Sequence, residues 1–273
     1  MLCYFSLNGN NSSYSSYNII SCVWICLCRL YDCGVTSSAW DDLQSILINN
    51  RSLTTLDLSR NNLEDSGIKL LCEGLGDPGC TLQTLKLYDC GVTSSGCDDL
   101  RSILINNRSL ARLELSGNNL EDSGIKLLCE GLGDPGCTLQ TLKLYKCGVT
   151  SSACDDLRSI LINNRSLTTL YLSRNNLEDS GIKLLCEGLR DPGCTLQRLW
   201  IGDCKGTLRS CDDLSSVIST NRTLTSLEIR LDDDEKMSES EVGRCCKVLR
   251  NVGFSVRRDW DGRGWQVSID RRR

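Results

Sequence analysis

The sequence predicts an α/β solenoid, a coil of repeated strand–helix units stacked one on the next. Three observations carry this. A 29-residue text opening at Leu53 returns nearly unchanged at Leu110 and again at Leu167, 57 residues on each time. A 28-residue text opening at Leu82 fills the gaps, returning at Leu139 and, degraded, at Leu196. Every unit begins with apolar residues at period two and continues with apolar residues at helical spacing. Repeats of about 20 to 50 residues signify units that bury their apolar faces only by stacking. The openings at Leu53, Leu82, Leu110, Leu139, Leu167, Leu196 and Leu224, with one more readable back to Ile25, mark out about seven to eight units over residues 25–231.

Within a long unit, Leu56 and Leu58 alternate with polar residues, as in a short strand buried on one face. The ninth position is Asn in long units (Asn61, Asn118, Asn175) and Cys in short ones (Cys90, Cys147, Cys204). There the chain turns away, so the polar group can bond the backbone of the neighbouring turn. A helix follows. In long units it is expected near Ser66 to Leu75, with Ile68, Leu71, Cys72 and Leu75 on one stripe; in short units near Ser94 to Asn106, with Cys97, Leu100, Ile103 and Leu104. Thr93 or Ser94 is the expected N-cap, and Asp98 and Asp99 lie near the positive helix end. Asp77-Pro78-Gly79 closes the long unit as a turn.

Two segments depart from the pattern. Residues 1–24 are rich in Ser and Asn without periodicity, and are expected to be irregular, disordered or misassigned. Beyond Ile229 come an acidic run, Asp232 to Glu235, a helix near Ser238 to Asn251, and strands near Phe254 to Arg258 and Trp265 to Ile269. Residues 232–273 are expected to be a C-terminal cap, because a solenoid end must cover an open core.

Composition narrows the function. Of 273 residues 40% are hydrophobic and 24% charged, the balance of a folded soluble chain and not of a disordered one. A net charge of -4 gives no reason to expect nucleic acid or an anionic membrane as partner. Histidine is absent, which excludes Ser-His-Asp and Cys-His nucleophiles and imidazole metal sites. The 19 cysteines are odd in number and mostly recur at one interval, which suits a structural slot in a reducing, hence cytoplasmic, compartment. The longest apolar run, Ile19 to Leu27, is too short to span a membrane, and no Lys or Arg precedes it as in a signal peptide.

The alternation of 28 and 29 residues, with Asn and Cys at the ninth position, resembles leucine-rich-repeat proteins of the ribonuclease-inhibitor type. The wording NNLEDSGIKLLCEGL and CGVTSSACDDL is most similar to the C-terminal repeats of NOD-like (NACHT) innate-immune receptors. The resemblance covers roughly residues 25 to 231. It implies a leucine-rich-repeat solenoid, a horseshoe arc with a parallel concave β-sheet and convex helices. It implies a non-catalytic binding scaffold, the sensing or autoinhibitory repeats of such a receptor. A free-standing enzyme inhibitor is the alternative, since one fold serves many partners. No GxxxxGK[ST] run is present, so the receptors' nucleotide-binding module is expected in a longer product or another chain.

Copies of the repeat can be compared with one another. The three long units differ at five of 29 positions, and four of these read as concave strand positions: Thr54/Ala111/Thr168, Thr55/Arg112/Thr169, Asp57/Glu114/Tyr171 and Arg60/Gly117/Arg174. The fifth is Gly76/Gly133/Arg190 in a turn; the first two short units differ at two of 28, one being Asp89/Lys146. Strands about 4.8 Å apart turn equivalent positions into columns. One column reads Asp57, Lys86, Glu114, Lys143, Tyr171, Trp200, Glu228. A cross-strand charge ladder accounts for its first half. In its second half Tyr171 and Trp200 are flanked by Tyr145, Arg174 and Arg198, residue types that dominate binding hot spots. These five are the expected contacts for a protein or peptide ligand, against the alternative of a stacked pair covering leucines. The concave set counts Arg60, Lys86, Arg112, Lys143, Lys146, Arg174, Arg198 and Arg230 against Asp57, Asp89, Glu114, Asp203 and Glu228, too basic for an inhibitor of a basic ribonuclease.

Other motifs read as scaffold. Cys72, Cys80, Cys97 and their copies fall on apolar stripes or just before strands, as small buried hydrophobes. The spacing of Cys22, Cys26 and Cys28 is not that of a zinc knuckle, so no metal or cofactor is expected. The sequons at Asn50, Asn107, Asn164 and Asn221 all fall at one repeated turn, and the pairs Asp98-Asp99, Asp155-Asp156 and Asp212-Asp213 at one repeated helix start. No catalytic constellation remains, and the chain is not expected to be an enzyme.

Overall fold

The computed structural model describes residues 4–6, 26–35, 40–260 and 262–271. The chain forms two compact units, Met1–Lys143 and Leu144–Arg273. In the first, strands β1 (Tyr4–Ser6), β2 (Leu27–Arg29), β3 (Thr55–Asp57), β4 (Thr84–Lys86), β5 (Arg112–Glu114) and β6 (Thr141–Lys143) pair in parallel, in chain order. Of the segment 1–24, Tyr4–Ser6 is therefore a strand on Leu27–Arg29; residues 1–3 and 7–24 lie outside the described residues. Helices α1 (Trp40–Asn49), α2 (Glu64–Leu75), α3 (Cys97–Asn106) and α4 (Glu121–Leu132) alternate with the later strands.

The second unit continues the pattern with α5 (Cys154–Asn163), β7 (Thr169–Tyr171), α6 (Glu178–Leu189), β8 (Arg198–Ile201), α7 (Cys211–Thr220) and β9 (Ser226–Asp232). Then the direction changes. Helix α8 (Glu239–Asn251) leads into β10 (Ser255–Arg258) and β11 (Gly264–Asp270), and β11 pairs antiparallel with all seven residues of β9. That pairing covers an edge which would otherwise offer unpaired backbone groups to another chain. Ser238 caps α8 in a capping box with Glu241, which ties down the start of the helix.

Leucine packing explains why such short strands persist. Leu56, Leu58, Leu85, Leu87, Leu113 and Leu115 point inward from β3 to β5 and their flanks and are at most 1% exposed. A strand of three residues cannot stand alone; burial at about 1.5–3 kcal/mol per leucine holds it. Because the strands are so short, the variable positions 54 and 60 flank them. Arg60 and Arg174 adopt left-handed backbone (φ 58 and 56), so they project from the turn after the strand and not from the strand itself.

The ninth position closes each coil. Asn118 is buried; its Oδ1 accepts from the Cys90 and Val92 amides at 2.9 and 3.1 Å, and its Nδ2 donates to the Leu87 and Leu115 carbonyls, both at 2.7 Å. Asn175 makes the same four bonds to Cys147, Val149, Leu144 and Leu172. Cys90 instead donates its thiol to the Leu58 carbonyl at 3.3 Å and, being a poor acceptor, leaves its neighbours' amides to the asparagines. The helices of adjacent coils approach closely where a long-unit helix presents glycine. A Cβ on Gly181 would stand 2.8 Å from the Cys154 sulfur, and one on Gly188 2.9 Å from Leu161 Cβ.

The short-unit helices start later than the spacing predicts. Thr150 Oγ1 accepts from the Ser152 amide and caps a 3-10 turn, Ser151–Ala153, ahead of α5; Thr93 does likewise for Ser95 ahead of α3. The sequon asparagines Asn107 and Asn221 are buried and donate Nδ2 to the Leu75 and Leu189 carbonyls at 2.8 and 2.6 Å. The nitrogen a glycan would need is committed to the core. No helix among the described residues is long and apolar enough to cross a membrane.

Candidate functional site

The equivalent strand positions of the two units differ in chemistry. In the first unit they form a charge ladder: Asp57 meets Arg29 at 3.6 Å and Lys86 at 3.4 Å, and Lys143 meets Glu114 at 3.0 Å. Such partly exposed pairs contribute about 0–1 kcal/mol each. Every cation on that stretch has a carboxylate beside it in register, so the ladder is a scaffold feature.

In the second unit the equivalent strand positions carry aromatics. Register pairs Tyr171 with Trp200 and Trp200 with Glu228. The two rings stack with centroids 4.2 Å apart and planes inclined by 1°. Both residues are half-buried. Strand spacing forces this contact: rings one position apart in a parallel ladder have room only to stack face to face.

The flanking residues divide into two groups. Arg174, held out by its left-handed backbone, lays its guanidinium over the Tyr145 ring at 5.5 Å, a cation–π contact. Arg174 Nε also reaches Asp203 Oδ2 at 3.4 Å; Arg230 bridges from Asp203 Oδ1 (2.5 Å) to Asp259 Oδ2 (2.9 Å). Arg198 points elsewhere, donating Nε to Thr169 Oγ1 at 3.3 Å. So Tyr145, Arg174 and Trp200 share one cleft of about 370 Å³, Tyr171 backs Trp200, and Arg198 lies outside it.

The same cleft contains residues that sequence reasoning did not single out. Trp260 is 91% exposed, the one large hydrophobe so exposed among the described residues, and it lines the cleft with Asp259 and Gln266. Gln266 Nε2 donates to Glu228 Oε1 at 3.1 Å. The available signal was the sequence setting of Trp260 between two aspartates, Asp259 and Asp261, with no apolar residue beside it. Burial first, and then the carboxylates of Asp203, Asp259 and Asp233 against the help of Arg230, push the Asp232 carboxyl above its ordinary value. Among the described residues no group of three His, Cys, Asp or Glu side chains is placed to hold a metal.

Comparison with known proteins agrees with this architecture. The leucine rich repeat family model matches residues 49–72, 106–129 and 163–186. The NACHT, LRR and PYD domains-containing protein 12 of mouse is 44% identical over 232 residues, 85% of this chain and 22% of that protein. The NACHT, LRR and PYD domains-containing protein 3 of mouse is 46% identical over 205 residues, 75% of this chain and 20% of that protein. Mouse ribonuclease inhibitor is 38% identical over 234 residues, 86% of this chain and 51% of that protein. The chain thus spans about a fifth of the NACHT relatives' length and about half of ribonuclease inhibitor's.

Proposed function

Because the chain is a leucine-rich-repeat protein of the ribonuclease-inhibitor type, we propose that it is a non-catalytic recognition scaffold. The strand-side face of residues 144–273 grips a protein or peptide ligand through Tyr145, Tyr171, Arg174, Arg198 and Trp200. The observation that carries this reading is the Tyr171–Trp200 stack, two half-exposed aromatics paired in register on neighbouring strands. A preformed stack loses little freedom on binding, so the contact energy goes to affinity. In this reading the repeats belong to the sensing or autoinhibitory region of a NOD-like receptor in the cytoplasm. The nucleotide-binding module resides in a longer product, and residues 232–273 act as the solenoid's cap. The similarity to NACHT proteins and the recurrence of buried cysteines at one interval support it.

A pull-down with the chain as bait, repeated with Tyr171→Ala plus Trp200→Ala, tests the assignment. A partner's affinity is expected to fall by more than about 1 kcal/mol with Trp200→Ala alone. A smaller loss removes Trp200 from the binding contacts. The alternative, a free-standing enzyme inhibitor, predicts a partner whose own activity is blocked on binding. Substrate turnover by the purified chain would overturn both.

A further inference from the structure

We infer that the cleft beside Trp200 receives a cationic side chain, arginine or lysine, from a polypeptide partner. This rests on reading the strand-side face as a recognition surface and names what that surface takes. One face of the Trp200 ring is covered by Tyr171, and the register places Glu228 on the opposite side. A cation seated in the cleft where Trp200 and Glu228 both line it lies against the negative π cloud within about 6 Å and beside a carboxylate at once. The two cations of the cleft cannot occupy that place. Arg174 is drawn back over Tyr145 and towards Asp203, and Arg230 is held between Asp203 and Asp259. Glu228 is exposed, accepts from the neutral Gln266 amide, and has no cationic partner among the described residues. Counting Arg174 and Arg230 against Asp203, Glu228 and Asp259 leaves the cleft one negative charge in excess. Trp260, out in solvent on the turn that borders the cleft, supplies a second aromatic wall for the aliphatic stem of the incoming side chain. An anionic ligand would meet arginines already neutralised and a carboxylate that is not.

The test is a titration of the full chain with Ac-Gly-Gly-Arg-Gly-Gly-NH2, followed by the indole N–H resonances of tryptophan. Its lysine, citrulline, norleucine and glutamate counterparts serve as comparisons. The arginine peptide is expected to shift the Trp200 and Trp260 signals, with citrulline about tenfold weaker because it keeps the shape and loses the charge. Glu228→Gln, an exposed and nearly isosteric change, is expected to weaken the arginine peptide about five- to tenfold while leaving the norleucine peptide unaltered. Equal binding of citrulline and arginine, or indifference to Glu228→Gln, overturns the cationic assignment. If the norleucine peptide moves the two indoles and the cationic peptides do not, the face still binds ligands but the inferred chemistry is wrong. If none of the peptides moves them at about 10 mM, both this inference and the reading beneath it fail.

Discussion

Replacing Asn118 by alanine tests the physical claim on which every coil depends. The amide of Asn118 makes four bonds between 2.7 and 3.1 Å, two to amides and two to carbonyls of its own and the preceding coil. Cys90 and Val92, whose amides it receives, are fully buried, so their N–H groups have no ready path to water. At about 1 kcal/mol net for each bond, and more where a buried donor is orphaned, Asn118→Ala costs about 3–5 kcal/mol. Asn119, its neighbour in sequence, is the internal control: it is exposed, and its Nδ2 makes a single bond to Glu121 Oε1 at 2.8 Å. Asn119→Ala should stay within about 0.5 kcal/mol. Urea unfolding by circular dichroism gives the difference as a shift in midpoint at constant slope. Amide hydrogen exchange at Cys90 and Val92 localises it, because a repeat protein opens coil by coil. A loss below about 1 kcal/mol for Asn118→Ala, or equal losses for both variants, would refute the argument that the ladder closes the coils.

Three further outcomes follow. Gly181→Ala should destabilise by about 1–3 kcal/mol, since the new methyl meets the Cys154 sulfur at 2.8 Å, whereas Gly243→Ala in α8, with open space around it, should stabilise by about 0.5–1 kcal/mol through helix propensity; paired thermal melts check both signs. Asp232 has a folded-state pKa raised above its ordinary 3.8, so its contribution to stability is present below that value and lost as pH rises through the folded pKa. Asp232→Asn should therefore raise the unfolding midpoint at pH 7, with the gain vanishing below about pH 3.8; a gain that persists in acid would contradict the assignment. Burial pushes the Cys90 and Cys204 thiols up to about 12, so at pH 8 both should resist iodoacetamide in the native chain and label rapidly in denaturant, as peptide mass spectrometry would show.

Much of this protein was legible before any coordinates. The leucine periods named the core, and identical spacing in successive units set the register that joins Asp57 to Lys86 and Tyr171 to Trp200. Translation along a stack preserves position, so whatever repeats in sequence repeats in space. Finer points escaped for local reasons. Thr93 and Thr150 cap a turn before the helix and not the helix itself, because the chain spends three residues closing that turn before the helix begins. The variable arginines at 60 and 174 project from left-handed turns, a backbone state that side-chain patterning does not report.

The walls of the cleft were decided by tertiary structure alone. Trp200 and Glu228 come from repeating strands, yet Gln266, Asp259 and Trp260 arrive through the antiparallel return of β11 onto β9. No periodicity predicts that return. Its register is chosen by which side chains, Val267 and Leu231 among them, can be buried together at the end of the stack. Sequence determines the repeated part because each coil meets a copy of its own neighbour; where the repetition stops, only three-dimensional packing selects which residues meet.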